Sequence, residues 1–376
     1  MNDPLAAFAG RTVDDPYPSY KWLRENAPVY RNPRTGEWLL SRFEDVYDAL
    51  RNHAVFSSTS LGFPLIGDDP PRHTRLRGLV NRAFTSTMIK KLTPFIESTC
   101  HELVDAFEAG EVDVVPSLTV PFPVIVIARM MGISDKDRAR FKLWSDALTG
   151  LLDGETRGEL GSVINEMFPY FASEIARRRT EATDDLIAAV VGAEIDGESL
   201  GDEEIIGFCL LLLVAGNETT TNLIGNMLNV MTDRPDLWAR LREDRSLVEA
   251  AVEETLRFDS PVQYIYRKAL SDIEIRGERI AAGDRVLVGF AAANRDPENF
   301  EDPDTFSLDR DLKRHLAFGH GIHFCLGAPL ARVEGRVVLD ALLDRFSGVS
   351  RAGPLERLPS HLLRGFHHLP LRFEPA

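Results

Sequence analysis

One cysteine carries most of the chemistry that this 376-residue chain offers. Cys325 lies in the run Phe318-Gly319-His320-Gly321-Ile322-His323-Phe324-Cys325-Leu326-Gly327. Its F-x-x-G-x-x-x-C-x-G pattern should arise by chance on the order of once in a thousand chains of this composition. Gly321 and Gly327 let backbone approach a flat ligand and turn sharply. Helical periodicity begins at Ala328, so Cys325 stands just before a helix N-terminus, where amide donors and the dipole favour a thiolate. A thiolate there can hold a haem iron and push electron density toward O–O cleavage. Cys100 and Cys209 have no such surroundings and read as buried structural thiols.

A second pattern interrupts a long apolar helix. After Phe208–Val214 comes Ala215-Gly216-Asn217-Glu218-Thr219-Thr220-Thr221-Asn222, poor helix formers at the centre of a helix predicted over Glu203–Thr232. A kink or local opening is expected, because Gly weakens the ladder and a Thr hydroxyl can return to an i−4 carbonyl. Two charged spacings also stand out. Glu254 and Arg257 lie at i, i+3 on a predicted helix over Leu247–Phe258, and His73 and Arg77 lie at i, i+4 over Arg72–Ala83. Taken singly, each is a common solvated helix pair.

The elements that must position these groups are mostly helical. Apolar periodicity predicts helices over Glu44–Arg51, Arg72–Ala83, Met88–Glu108, Val124–Met131, Asp135–Leu152, Gly158–Thr180, Glu203–Thr232, Asp236–Glu243, Leu247–Phe258 and Ala328–Arg345. A hairpin is expected across Val29–Leu40, with more strand at Ile273–Ile275 and Val286–Val288. Two irregular stretches, Phe56–Pro71 and Asn294–Gly327, are long enough to need a functional reason. The fold class is therefore mainly α with small β-sheets, as one large domain over residues 1–376, since no linker or repeat divides the chain. The formal charge of −15 disfavours nucleic acid and anionic membranes as partners. Three scattered cysteines exclude a disulfide framework, and Met1-Asn2-Asp3-Pro4 is no signal peptide, so a cytoplasmic location is expected.

The cysteine loop resembles the haem-binding signature of the cytochrome P450 monooxygenases, and the resemblance runs through nearly the whole chain. It implies the cytochrome P450 fold, with haem b between the long central helix and the helix after the cysteine loop, and Cys325 as axial ligand of the iron. It assigns Phe318, Gly319, His323 and Gly327 to the haem loop, and His73, Arg77, Arg267 and His323 to the haem propionates. It makes Glu254 and Arg257 the family's E-x-x-R, completed by Arg310 of the following meander. The segment A-G-x-E-T resembles the distal oxygen groove, in which Glu218 and Thr219 relay protons to dioxygen.

The resemblance also implies the reaction. A cytosolic, bacterial-type monooxygenase should hydroxylate a small or medium neutral apolar substrate with O2. Electrons should come from NAD(P)H through a ferredoxin reductase and an iron–sulfur ferredoxin, because this chain has no flavin or iron–sulfur motif. The ferredoxin should meet basic residues on the cysteine side, from Arg72, Arg75, Arg82, Lys313, Arg314, Arg332 and Arg336. Substrate contacts map to Leu61, Phe63, Leu65 and Ile66; Leu211, Ala215 and Thr219; Val262, Gln263 and Ile265; and His361, Leu362 and Leu363. Gln263 and His361 could each orient a hydroxyl or carbonyl. The protein should be a monomer. A peroxide-driven hydroxylase and a non-enzymatic haem sensor or carrier are the alternatives.

Overall fold

A computed structural model of the chain describes residues 14–59, 63–152, 160–195, 197–311 and 314–376. Leu61 and Lys313 lie outside the described residues. The periodic segments fold as helices close to their predicted bounds, among them Phe43–Arg51, Arg72–Ala83, Ser86–Asp105, Pro121–Met130, Arg138–Leu152 and Leu160–Thr180. The helix expected from Met88 begins at Ser86, because the Thr85 hydroxyl accepts from the amide of Met88 at 3.2 Å and caps the first turn.

The centre of the molecule is the 32-residue helix Asp202–Asp233. It is apolar on nearly every side, as a helix surrounded by other helices must be. By length and composition it could cross a membrane, but 72% of its most apolar stretch is buried inside this protein. The expected local opening does not interrupt it: the helix is continuous from end to end. The hydroxyl returns that motivated it are present, from Thr219 to Ala215 O at 2.7 Å and from Thr220 to Gly216 O at 3.3 Å. They supplement the ladder and leave it intact.

Ala328–Arg345, the helix after the cysteine loop, packs across both this helix and Val248–Phe258. Gly335 makes the close approach possible. A Cβ there would meet both Val252 methyls at 3.3 Å and Leu223 at 3.6 Å.

Sheets flank the helical body. The main one has the order Val29–Arg31, Trp38–Leu40, Arg285–Val288, Ile265–Ala269, Phe56–Ser57. Val286 pairs in parallel with Trp38 and antiparallel with Arg267, so this register fixes where Arg267 stands. A second sheet pairs Phe346–Arg351 with Pro370–Pro375, and the latter with Gly110–Asp113.

Candidate active site

Arg257 organises the long irregular stretch before the cysteine. Its guanidinium and the Glu254 carboxylate are fully buried and joined by two 2.7 Å bonds. The remaining Arg257 donors reach the carbonyls of Asn294, Pro303 and Thr305. Glu254 also accepts from the Ser307 amide at 2.9 Å and from Arg310 Nε at 3.2 Å. Every charge in the network has a partner, which a buried ion pair requires. Asn294 extends it: its Oδ1 accepts from the Leu316 amide at 2.6 Å, two residues before Phe318.

One helix register earlier, Glu253 forms a second tie. Burial alone would raise its pKa, but hydrogen bonds from His315 and Arg332 outweigh that and hold it at about 2. Arg332 also lies over the Phe318 ring, 4.6 Å from its centroid. The cysteine loop is thus held from the stretch before it and from the helix behind it.

Within the loop, the Cys325 amide donates to Phe318 O at 2.9 Å, closing a tight turn. Gly319 and Gly321 take φ of +69° and +72°. A Cβ on Gly321 would stand 2.7 Å from Leu50 O, so this glycine admits the helix Phe43–Arg51. That corrects the expectation that Gly321 makes room for a flat ligand. Gly327, with φ −79°, supplies no left-handed turn and simply precedes the helix Ala328–Arg345.

Cys325 itself is exposed although protein surrounds it, which places its Sγ on an internal cavity wall. Burial pushes its thiol upward, while amides of Gly327 and Ala328 and the charge of Arg77 pull it down. Ala215 is likewise exposed in the middle of the otherwise buried central helix. A small exposed residue there marks helix surface that faces internal space.

The predicted propionate anchors meet beside the loop. The His73 and His323 rings lie 4.3 Å apart, and Arg77 Nη2 donates to Phe324 O at 2.7 Å. Arg267 is 2% exposed. Burial lowers it to about 10, with only Asp69 opposing. Burial, then Arg267 and His73, depress His323 to about 3, and its Nε2 meets Ser58 Oγ at 3.0 Å. His73 Nε2 is buried without a partner. Burial holds the two imidazoles toward the neutral form, so the cations here are Arg77 and Arg267, and burying them is costly unless an anion joins them. The cluster therefore fits the two carboxylates of a haem, and Cys325 fits its iron.

Pro64 packs so closely on the central helix that a Cβ at Gly207 would lie 2.5 Å from it. Its chain neighbours Phe63, Leu65 and Ile66 belong, with Leu211, to the main apolar core. An isolated bridge joins Val262 to Leu363, and the Gln263 amide donates to Leu362 O at 2.9 Å, so these two segments lie side by side.

Three of the pocket assignments need correction. The Gln263 side chain donates to Ser260 O at 2.7 Å and accepts from Tyr20 OH at 3.0 Å, so its amide is spent inside the protein. His361 stacks on Tyr264 at 6.0 Å and lines two small clefts near the main sheet. Leu362 packs with Tyr17, Leu39 and Tyr264 in a separate cluster.

Known proteins decide the family. The cytochrome P450 family model matches residues 29–361. The chain belongs to the cytochrome P450 family. Cytochrome P450 109 of Bacillus spizizenii is 40% identical over 371 residues, 95% of this chain and 91% of that protein. The structure of CYP109Q5 from Chondromyces apiculatus superimposes with a TM-score of 0.91 at 40% identity, covering 99% of this chain and 98% of the other. CYP109E1 from Bacillus megaterium, in complex with testosterone, gives 0.90 at 37% identity over 95% and 99%. This P450 is accordingly a monooxygenase, a haem enzyme that needs O2, a source of electrons and a small-molecule substrate.

The basic surface around the cysteine side of the P450 is largely neutralised. Arg72 pairs with Asp68 at 3.1 Å, Arg75 with Glu204, Arg332 with Glu253, and Arg336 with Asp340 at 3.4 Å. Arg82 donates to Glu194 O at 2.7 Å. Arg314 is exposed on a groove of about 500 Å³ that it shares with Tyr47, Phe324 and Arg332.

Sequence reasoning missed Glu334, which is 1% exposed. The signal was available: Leu330, Glu334, Val337, Val338 and Ala341 share one face of the final helix, and a lone acid on an apolar stripe is out of place.

Proposed function

We propose that this P450 hydroxylates a neutral, largely apolar molecule, with haem b held by Cys325 and anchored by His73, Arg77, Arg267 and His323. The haem is non-covalent, because the sequence contains no C-x-x-C-H. When bound, it supplies the redox chemistry that activates dioxygen.

The chain's own residues supply orientation and protons. Thr219 donates its one hydroxyl proton to Ala215 O at 2.7 Å, leaving the Oγ1 lone pairs as acceptors toward the cavity. It becomes a donor only by rotating away from that carbonyl. Glu218, one residue before it, is the acid that can reload it. The single domain spans residues 1–376, in the cytoplasm, as a monomer.

The observation that carries the substrate class is the commitment, among the described residues, of the arginines that could reach in. Arg72 pairs with Asp68, and Arg364 is bound to buried Asp259 at 2.5 Å. On Leu160–Thr180, Arg177 and Arg178 hold Glu174, and Arg179 holds Asp202. A substrate carboxylate would meet Phe63, Leu65, Ile66, Leu211, Val262, Ile265 and Leu363 with no free counter-ion among the described residues. The testosterone complex of CYP109E1 agrees with a neutral ligand of steroid size.

Electrons reach the haem from NAD(P)H through a ferredoxin reductase and an iron–sulfur ferredoxin. The groove beside exposed Arg314 receives the ferredoxin. Paired ligands, each neutral alcohol or ketone beside its carboxylate analogue, test the substrate class through the Soret shift on binding. The neutral member should bind tighter in each pair, and consistently tighter carboxylates would refute the assignment.

A further inference from the structure

The hairpin of the strands Glu356–Arg357 and Phe366–His368 brings two arginines to one acid. Arg357 and Arg364 stand at its neck, where Arg357 lies opposite Phe366 and the Leu358 amide donates to Gly365 O at 3.2 Å. Both meet Asp259, at the end of the helix Val248–Phe258. The side chains of Arg357, Arg364 and Asp259 are only 9%, 9% and 6% exposed. Asp259 is the one carboxylate, among the described residues, that forms an ion pair with either arginine.

One carboxylate cannot balance two guanidinium charges, and the distances show which arginine holds it. Arg364 Nε donates to Asp259 Oδ1 at 2.5 Å, and the Tyr17 hydroxyl donates to the same oxygen at 2.9 Å. Arg357 stays 3.8 Å from Oδ2, beyond hydrogen-bond reach. Of its five N–H donors one is used, from Nη1 to the neutral Asn226 amide oxygen at 3.2 Å. Its guanidinium lies 3.9 Å from the Phe366 ring centroid, a contact that supplies no counter-charge. Burial lowers its pKa to about 10 although Asp259 opposes this, and Arg364 repels it further. Arg295, which also lies over Tyr17, is paired with Asp304 at 3.2 Å, while Asp14 and Asp15 are exposed acids.

The surplus charge borders open space. Arg357 lines a cleft of about 20 Å³ with Pro16, Tyr20, Ser360 and Arg364, room for one water-sized or slightly larger particle. Ser360 Oγ accepts from the Leu363 amide at 3.0 Å, which leaves its hydroxyl proton to donate. The cleft thus has donors in excess of acceptors, and one positive charge in excess of its acid.

We propose that this cleft is an anion site, which takes a single monovalent inorganic anion of about the size of chloride on Arg357 and Ser360. The single surplus charge and the small volume favour a halide over phosphate. An ion there would relieve the cost of burying Arg357 without a matched counter-charge. It would also brace the hairpin loop where Arg364 N donates to Pro261 O at 2.8 Å and Leu363 bridges Val262.

Thermal unfolding of the ferric holoenzyme at constant ionic strength, with gluconate replaced stepwise by chloride, reads the site. The parent midpoint should rise with chloride and saturate, by on the order of 1–3 °C. Arg357→Gln should lose that dependence, and Ser360→Ala should need several-fold more chloride to reach it. A parent midpoint equal in the two salts, or an unchanged chloride dependence in Arg357→Gln, would overturn the proposal. Parent crystals soaked in bromide test the site without a variant. Anomalous density should appear in the cleft beside Arg357, and a cleft holding water only would equally overturn it. Neither readout depends on what the enzyme oxidises.

Discussion

Arg77 donates to the carbonyl of Phe324 at 2.7 Å, which ties the helix Arg72–Ala83 to the residue immediately before the cysteine. One side chain thus serves two ends. It fixes the loop through backbone, and it adds positive charge beside Cys325 that favours the thiolate.

Arg77→Ala should weaken both functions. A lost charge-assisted hydrogen bond is worth roughly 1.5–3 kcal/mol, or about a ten- to hundredfold change in haem retention. Haem transfer to apomyoglobin would measure it. A transfer rate equal to that of the parent would show that Arg77 contributes nothing to the site.

Glu254→Ala and Arg257→Ala should each cost about 3–5 kcal/mol, because the remaining partner is left as an uncompensated buried charge. The stretch that Arg257 holds through Asn294, Pro303 and Thr305 would loosen, and the cysteine loop with it. Purified variants should contain little haem per chain. Parent-like haem content in both would contradict the role of this network.

Glu253 gives a pH-dependent prediction. Its pKa falls from the usual 4.5 to about 2 on folding, so it contributes stability above pH 4.5 that is lost as pH falls toward 2. The contribution at neutral pH is at most about 3 kcal/mol. Denaturant unfolding of Glu253→Gln should show a deficit at pH 7 that begins to shrink below about pH 4.5. A deficit of constant size between pH 7 and pH 4 would show that the His315 and Arg332 contacts leave this carboxyl unperturbed.

Thr219→Ala should keep the substrate-induced Soret shift while a larger share of NAD(P)H electrons ends as peroxide. Thr219→Ser, which keeps the hydroxyl, should recover most of the coupling. Glu218→Gln should slow turnover and change the solvent isotope effect. Parent-like coupling in Thr219→Ala would remove the hydroxyl from the reaction.

Helices were legible because their signals are local. The apolar period of Arg72–Ala83 and Ala328–Arg345 reproduces their observed ends. The helix Tyr17–Asn26 was not read, since Pro16 and Pro18 and three aromatic residues mask its period. The sheet of Phe346–Arg351, Pro370–Pro375 and Gly110–Asp113 joins strands from opposite ends of the chain, which no local pattern announces. In the site, spacing marked His73 with Arg77 and Glu254 with Arg257, and the family resemblance added His323, which is found beside His73. Spacing could not reveal where a side chain in an irregular segment points. Gln263 and His361 looked like substrate contacts until Tyr20 and Tyr264 were seen to occupy them.

The most direct measurement is the absorption spectrum of the reduced carbonyl complex of the parent and of Cys325→Ser. Thiolate ligation by Cys325 predicts the red-shifted Soret band in the parent and its loss in the variant, with any haem still present absorbing at shorter wavelength. The same red-shifted band in Cys325→Ser would show that another residue holds the iron.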